Sequence, residues 1–366
     1  MASLGIGIVG GGYMGKAHSA AFAAVGTVFE TTLKPRLVSI AASSPESAED
    51  YARRYGFEKG AADWRALVDD PAVEAVVIAS PQATHLEIAK AAIAAGKPVM
   101  CEKPLGLDVH QAREMTEAAE AADVINTVAY NYARTPATQY ARQLIADGAL
   151  GRVTGFRCEH NEDFHNDQSL PAWRLSGDAN GCLGDLAPHA FNCALALMGP
   201  IEELNAVIET VHAERGGRPV TNDDQVQMMV RFASGATGHI SASRVATGRK
   251  MGYAYEVFGT DGALRFDKED QNALWLYEEG RDPAQRGYRK VLTGPAHPDY
   301  LAFCQGPGHG TGYQDQIIIE AKDFLDAIET GAPRWPTFRD GLAAQQIVAA
   351  ARASHAARGW TRPADF

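Results

Sequence analysis

The sequence has no excess of basic residues. Thirty-four Lys and Arg stand against 45 Asp and Glu, a formal net charge of −11. That balance excludes a nucleic-acid or anionic-membrane partner, because each demands a basic face. Long apolar runs are missing too. No stretch approaches the roughly 20 residues that cross a bilayer, so no membrane span is expected. Met1-Ala2-Ser3-Leu4-Gly5 leads into an apolar stretch without a basic or long hydrophobic region ahead of it. Cysteine is sparse: five are scattered at 101, 158, 182, 193 and 304, with no C-x-x-C pair. An odd, unpaired set argues against a disulfide framework, and a reducing cytoplasm is the expected compartment. His and acidic residues lack ligand spacing such as H-E-x-x-H, so no metal site is expected. Internal repeats and low-complexity segments are absent.

What is present suits a globular chain of about two domains: 366 residues, 46% hydrophobic and 22% charged. Strand and helix patterns alternate in the first third: strands at 6–9, 37–41, 73–79 and 99–101, helices at 14–25, 45–55 and 85–95. The near-continuous apolar run 73–79 reads as a strand buried on both faces. Such alternation implies a doubly wound parallel sheet. The pattern changes near residue 130, and 126–131 reads as the joint between domains. A helix at 134–146 and a strand at 153–159 follow. Beyond residue 201 come strands at 204–211, 225–232, 236–243, 253–259 and 263–267, then helices at 314–329 and 341–358. Turn signals at Ser234-Gly235 and Asp261-Gly262 make this half a mainly antiparallel sheet. The expected fold class is therefore α/β. A doubly wound, Rossmann-type sheet occupies 1–128. An α+β domain with a large open sheet occupies 129–366, and its last helix is free to pack back on the first domain.

Gly10-Gly11-Gly12-Tyr13-Met14-Gly15 follows a strand and opens a helix. This is the context in which G-x-G-x-x-G binds a dinucleotide. Gly10 permits the tight turn, Gly12 lets the backbone approach a pyrophosphate, and Gly15 allows close helix–strand packing. The helix N-terminus supplies N–H groups and partial positive charge. Residues 1–60 carry six basic against five acidic residues, so the acidity lies elsewhere and does not oppose an anionic cofactor. The second strand ends Ala41-Ala42-Ser43-Ser44 without the acid that holds a ribose 2′-hydroxyl. Of NAD and NADP, this tilts the choice toward NADP, with Ser43 and Ser44 as donors; alternatively, both merely begin the next helix.

Two further motifs carry chemistry. Glu102-Lys103-Pro104 follows a buried strand at the sheet's carboxyl end, where α/β sheets place ligands. A lone Lys is ordinarily a solvated charge, but one wedged there is suited to proton chemistry. Asp185 and His189 lie four apart before an apolar helix at 190–198. Asp185 is placed to cap that helix, and the pair can share a face. A carboxylate beside a His orients it and favours its protonated form.

Together, Gly10/Gly12/Gly15, Glu102-Lys103-Pro104 and Asp185-x-x-x-His189 resemble the glucose–fructose oxidoreductase/inositol dehydrogenase/rhizopine-catabolism (Gfo/Idh/MocA) family, over nearly the whole chain. Pro81-Gln82-Ala83-Thr84-His85 resembles another segment of that family. The resemblance implies NAD(P)-dependent oxidation or reduction of a hydroxyl or keto group on a sugar or cyclitol. Lys103 would stabilise the alkoxide, His189 would act as general acid/base, and Asp185 would bind substrate and assist it. Cofactor contacts are implied at Gly10, Gly12, Tyr13, Met14, Ser43, Ser44, Ser80, Pro81, His85, Glu102 and Lys103. A cis Lys103–Pro104 peptide is implied too, as is a homodimer or homotetramer built through the second domain's sheet. Where the family usually has Gly and often Asp, this chain has Ala187 and Asn192. Further polar or aromatic residues that could shape a sugar pocket are Tyr130, Asn131, Asp163, His165, Trp173, Arg174, Asn192, His309 and Tyr313. Two rival functions use the same scaffold. One is a glycoside-cleaving enzyme with tightly held NAD; the other is a cofactor-sensing regulator, against which retention of all three catalytic residues argues.

Overall fold

A computed structural model describes residues 2–167 and 169–366. The chain forms two compact units: one comprises the chain up to Arg134 together with Gly312–Leu342, the other Thr135–Thr311 together with Ala343–Phe366.

The first unit contains β1 (Ala2–Val9), α1 (Tyr13–Val28), β2 (Leu33–Ala41), α2 (Pro45–Tyr55), β3 (Lys59–Gly60), α3 (Trp64–Asp69), β4 (Ala75–Ile78), α4 (His85–Ala94), β5 (Val99–Glu102), α5 (Val109–Ala121) and β6 (Asn126–Ala129). Its six strands run parallel in the order β3-β2-β1-β4-β5-β6, the doubly wound Rossmann arrangement. Strand β4 is buried at every position because Ala75-Val76-Val77-Ile78 has nothing polar to expose. The segment 126–131, read from sequence as a domain joint, instead supplies β6. Its buried Asn126 is tolerated because the side chain accepts the Phe338 N–H at 2.7 Å and donates to the Val124 carbonyl at 3.0 Å.

The second unit contains α6 (Pro136–Ala146), β7 (Val153–Asn161), α7 (Cys182–Asp185), α8 (Ala187–Met198), β8 (Ile201–Glu209), β9 (Glu214–Arg215), β10 (Arg218–Pro219), β11 (Gln225–Phe232), β12 (Thr237–Ser243), β13 (Gly252–Gly259), β14 (Gly262–Asp267), β15 (Ala273–Glu278), β16 (Arg289–Leu292) and α9 (Tyr300–Phe303). Eight strands order as β16-β15-β14-β13-β7-β12-β11-β8, and within this sheet β7 and β12 pair in parallel while the other neighbours run antiparallel. Strand β11 alternates, with Val226, Met228, Val230 and Phe232 buried and Gln227, Met229 and Arg231 exposed. Helices α6 and α8 cover the apolar face.

The sequence reading assigned everything after residue 128 to one domain. The chain instead returns α10 (Tyr313–Thr330) to the first unit. It docks there because its buried face meets α1: Phe324 packs edge-on to Phe22 at 6.4 Å, and Gln314 donates to the Ala17 carbonyl at 2.9 Å. Helix α11 (Phe338–Ala357) begins in the first unit and ends in the second. Phe324 is 0% exposed, so Phe324→Ala should cost about 3–5 kcal/mol through lost transfer energy and a cavity. Urea unfolding followed by circular dichroism checks this.

Candidate active site

The glycine-rich turn divides its labour as the three positions require. Gly10 has φ 107°, and a Cβ there would stand 2.5 Å from the Ala79 carbonyl oxygen. A Cβ on Gly15 would lie 1.8 Å from the Gly10 carbonyl oxygen, whereas one on Gly12 would meet nothing within 4 Å. Gly12 precedes α1, which has no side-chain cap and no acid in its first turn. The first N–H groups of α1 and the clear space over Gly12 therefore fit a pyrophosphate. Next to the turn, Tyr13 is 72% exposed and stacks on Tyr313 at 6.1 Å, while the Tyr313 hydroxyl reaches Met14 Sδ at 3.4 Å. Burial raises the Tyr313 pKa, so its hydroxyl stays neutral.

At the end of β2, Ser43 is exposed, but Ser44 caps α2 by accepting the Ser47 N–H at 3.2 Å. Arg53 and Arg54 both hold Asp50. This local cation pair is thus engaged on α2's own surface.

A second turn lies at the carboxyl end of β5. The Lys103–Pro104 peptide is cis. His85, 1% exposed, places Nδ1 3.1 Å from the Pro104 carbonyl and Nε2 3.0 Å from the Ser80 carbonyl. Two carbonyls favour an imidazolium, yet burial is the larger effect and lowers the His85 pKa. The ring, donating from one nitrogen, lies wedged between the Ser80–Pro81 turn and the Lys103–Pro104 turn. Ser80 Oγ lies 2.6 Å from Thr84 Oγ1, which donates to the Pro81 carbonyl at 2.8 Å. Glu102 keeps both carboxylate oxygens inside the protein, on His18 Nε2 at 2.7 Å and the Lys103 N–H at 3.2 Å. Tyr130 and Asn131, at the end of β6, are buried as well.

In the second unit, Asp185 ends α7 and α8 starts at Ala187, with Leu186 in the capping position. The expected cap by Asp185 is therefore not formed: the carboxylate lies at the wrong end of a short preceding helix. Arg174 takes it instead at 3.3 Å, and the same guanidinium stacks on Trp173 at 4.5 Å and Phe164 at 5.0 Å. His189, 6% exposed on α8, meets the ring of His160 edge-on at 5.5 Å. His160 escaped the sequence reading. It lies 2.9 Å from the Leu186 carbonyl through Nδ1 and 3.0 Å from Glu162 through Nε2. Its one signal is register: Phe156, Cys158 and His160 are the inward positions of β7.

The remaining candidates spread apart. Asp163 pairs with Lys250 at 2.8 Å and accepts the Gly248 N–H at 3.0 Å, so it ties down its own loop. His165 is fully buried, 3.4 Å from Asp224. Burial pushes the Asp224 carboxyl up, but the nearby His165 ring, the His212 backbone N–H and Arg244 overcome this and hold it well below the usual carboxylate range. Arg244 also donates to the carbonyls of Arg174 and Asn180, at 3.1 and 2.9 Å. This buried pair thereby fixes the segment that carries Trp173 and Arg174. Ala187 and Asn192 are buried in α8. His309 is exposed, with Nδ1 3.2 Å from Cys304 Sγ. Among the described residues, no cluster of His, Cys, Asp or Glu could hold a metal, and no helix is long and apolar enough to cross a membrane.

Residues 4–130 match the oxidoreductase family with an NAD-binding Rossmann fold, and residues 138–265 match the GFO/IDH/MocA C-terminal domain. Levoglucosan dehydrogenase of Pseudarthrobacter phenanthrenivorans is 39% identical over 98% of this chain and 98% of its own length. The chain belongs to the Gfo/Idh/MocA family. Another member, inositol 2-dehydrogenase of Rhizobium meliloti, is 30% identical over 94% of each chain. A solved levoglucosan dehydrogenase, in complex with NADH and L-sorbose, superposes with a TM-score of 0.96 at 40% identity, covering 99% of each chain. As a Gfo/Idh/MocA protein, the chain is an oxidoreductase with a dinucleotide-binding Rossmann unit.

The glycines yield a two-variant prediction. Gly12→Ala should leave the melting temperature within about 2 °C while weakening NADH at least ~10-fold, because its Cβ enters only the phosphate space. Gly15→Ala should lower both, because its Cβ strikes the Gly10 carbonyl. Differential scanning fluorimetry and NADH fluorescence separate the two.

Proposed function

We propose that this protein transfers a hydride between nicotinamide and a secondary hydroxyl or keto group of a sugar, with NAD as the working cofactor and an anhydrosugar such as levoglucosan as the first substrate to test. The observation that carries the reading is the chemical set itself. Within the first unit, a glycine turn fitted to pyrophosphate lies in the same Rossmann sheet as the Lys103–Pro104 turn that follows β5; taken by itself, the second unit carries His189 and an Arg174-held Asp185. Full-length similarity to levoglucosan dehydrogenase favours a sugar over a cyclitol. Trp173, 53% exposed with Arg174 stacked on it, offers the flat apolar surface that a sugar ring's C–H face prefers.

Local features support NAD against the sequence tilt toward NADP. The Ser44 hydroxyl caps α2, and both nearby arginines hold Asp50. Both are thereby engaged away from a 2′-phosphate, and a solved relative is in complex with NADH.

Bound, the nicotinamide is the hydride acceptor or donor. His189 takes the hydroxyl proton during oxidation and returns it during reduction. Asp185, held by Arg174, hydrogen-bonds a substrate hydroxyl. Lys103 stabilises negative charge on the reacting oxygen. Lys103→Ala and His189→Ala should each lower kcat by about 10²–10⁴-fold, with NADH binding kept. Steady-state rates for NAD⁺ and NADP⁺ against levoglucosan, aldoses and inositols provide the measurement, and near-normal turnover in both variants overturns the roles.

The open face of the second sheet is the surface for self-association. Its cross-strand row Arg157–Glu256–Arg265 alternates in charge, and Val207 and Met229 are each 61% exposed on the neighbouring strands β8 and β11. A second copy would bury these apolar side chains and match the charges. Five free cysteines suit a reducing, cytoplasmic setting. Light scattering should give two or four times the chain mass, and Val207→Arg with Met229→Arg should shift it toward the monomer.

A further inference from the structure

Behind the Lys103 turn, the first unit buries three ionisable side chains from distant parts of the sequence. His18 lies on α1, three residues after Gly15, and is 0% exposed; Glu102 ends β5; Glu320 lies on α10 and is 0% exposed. His18 Nε2 meets one Glu102 oxygen at 2.7 Å, and the other accepts the Lys103 backbone N–H at 3.2 Å. His18 Nδ1 and both Glu320 carboxyl oxygens are buried with no hydrogen-bond partner. Orphaned groups of this kind are rare in native proteins, and they mark a bridging water or a functional role.

The charged groups that act on the set come from α1, β5, α10 and the segment after β6. Burial disfavours a charged His18, but its bond to Glu102, together with the fields of Glu102 and Glu320, outweighs burial and raises its pKa. Burial pushes Glu320 up to about 8; His18 and Arg134 oppose the rise, and Glu102 and Asp323 add to it. Arg134 is itself paired with Asp323 at 3.2 Å. His85, Cys101, Tyr130 and Tyr313 also feel the Glu102 carboxylate.

We propose that His18 and Glu320 are positioning residues for Lys103: sharing a proton through a buried water, they fix the Glu102 carboxylate whose second oxygen holds the Lys103 backbone. The proposal rests on the reading of Lys103 as the group on the substrate oxygen. Near neutral pH Glu320 is neutral, and the bond to Glu102 favours the charged form of His18. As pH rises through about 8, Glu320 ionises and competes with Glu102 for His18, so the hold on Lys103 slackens. Because His18 sits on the helix that opens at the phosphate-binding turn, the same set joins that helix to the catalytic turn.

The test uses Glu320→Gln, which keeps the shape but cannot ionise, and His18→Gln. In wild type, kcat should fall relative to Glu320→Gln by about threefold or more between pH 7 and pH 9. His18→Gln should lower kcat ~10-fold while the KM for NAD⁺ stays within ~2-fold. Acetylation of Lys103 by limiting acetic anhydride, read by mass spectrometry, reports its setting without turnover. Its rate should change at least ~2-fold in His18→Gln and lose its pH 8 inflection in Glu320→Gln. Superimposable pH profiles and identical Lys103 labelling in folded variants overturn the proposal, as does a lowered melting temperature with both readouts unmoved. If His18→Gln fails to fold, the Glu320→Gln profile decides. If no substrate turns over, the labelling decides, so failure of the assigned activity stays distinct from failure of the positioning set.

Discussion

The Gly10 carbonyl oxygen occupies the place where a side chain on Gly15 would begin, 1.8 Å from its Cβ position. That contact lets α1 start immediately behind β1, and much of the first unit depends on it. It aims the free N–H groups of α1 along the turn. It also carries His18, one turn later, against the end of β5, and it sets the surface on which Phe324 and Gln314 of α10 dock. A helix only slightly displaced would lose the phosphate cradle, the Glu102 partner and the packing of the returning helix together.

Charge inside this protein works through geometry more than through net stabilisation. Buried ion pairs lose much of their Coulombic gain to desolvation. What they supply here is orientation. Arg244 and Asp224 pin the carbonyls of Arg174 and Asn180, which sets the guanidinium that holds Asp185. Glu102 does the same for the Lys103 backbone. In each unit a buried carboxylate fixes a loop, and the loop presents a group to which chemistry is assigned.

Much of the fold was legible in the sequence. Elements with one strong period came out at or near their observed ends: α2 at Pro45–Tyr55 and β11 at Gln225–Phe232, the latter because its in–out alternation is unbroken. Short or polar elements were missed: α3, β3, and β6, whose Asn126 looks like a loop residue until Phe338 supplies its partner. The site was legible where a motif encodes local backbone geometry, as at Gly10, Gly12, Gly15 and Lys103–Pro104. It was illegible where a side chain's role depends on a distant neighbour, as for His160, Asp224, Arg244 and Glu320.

Sequence alone determined the Rossmann unit and the glycine-rich turn, because each follows from local spacing and periodicity. Only the tertiary structure decided that Ser44 caps α2, that Asp185 is held by Arg174 and does not cap α8, that His165 is buried against Asp224, and that residues 312–342 return to the first unit. These are contacts between residues far apart in the chain, or choices between a local partner and a ligand. A linear pattern gives no distance across such gaps, so packing had to choose.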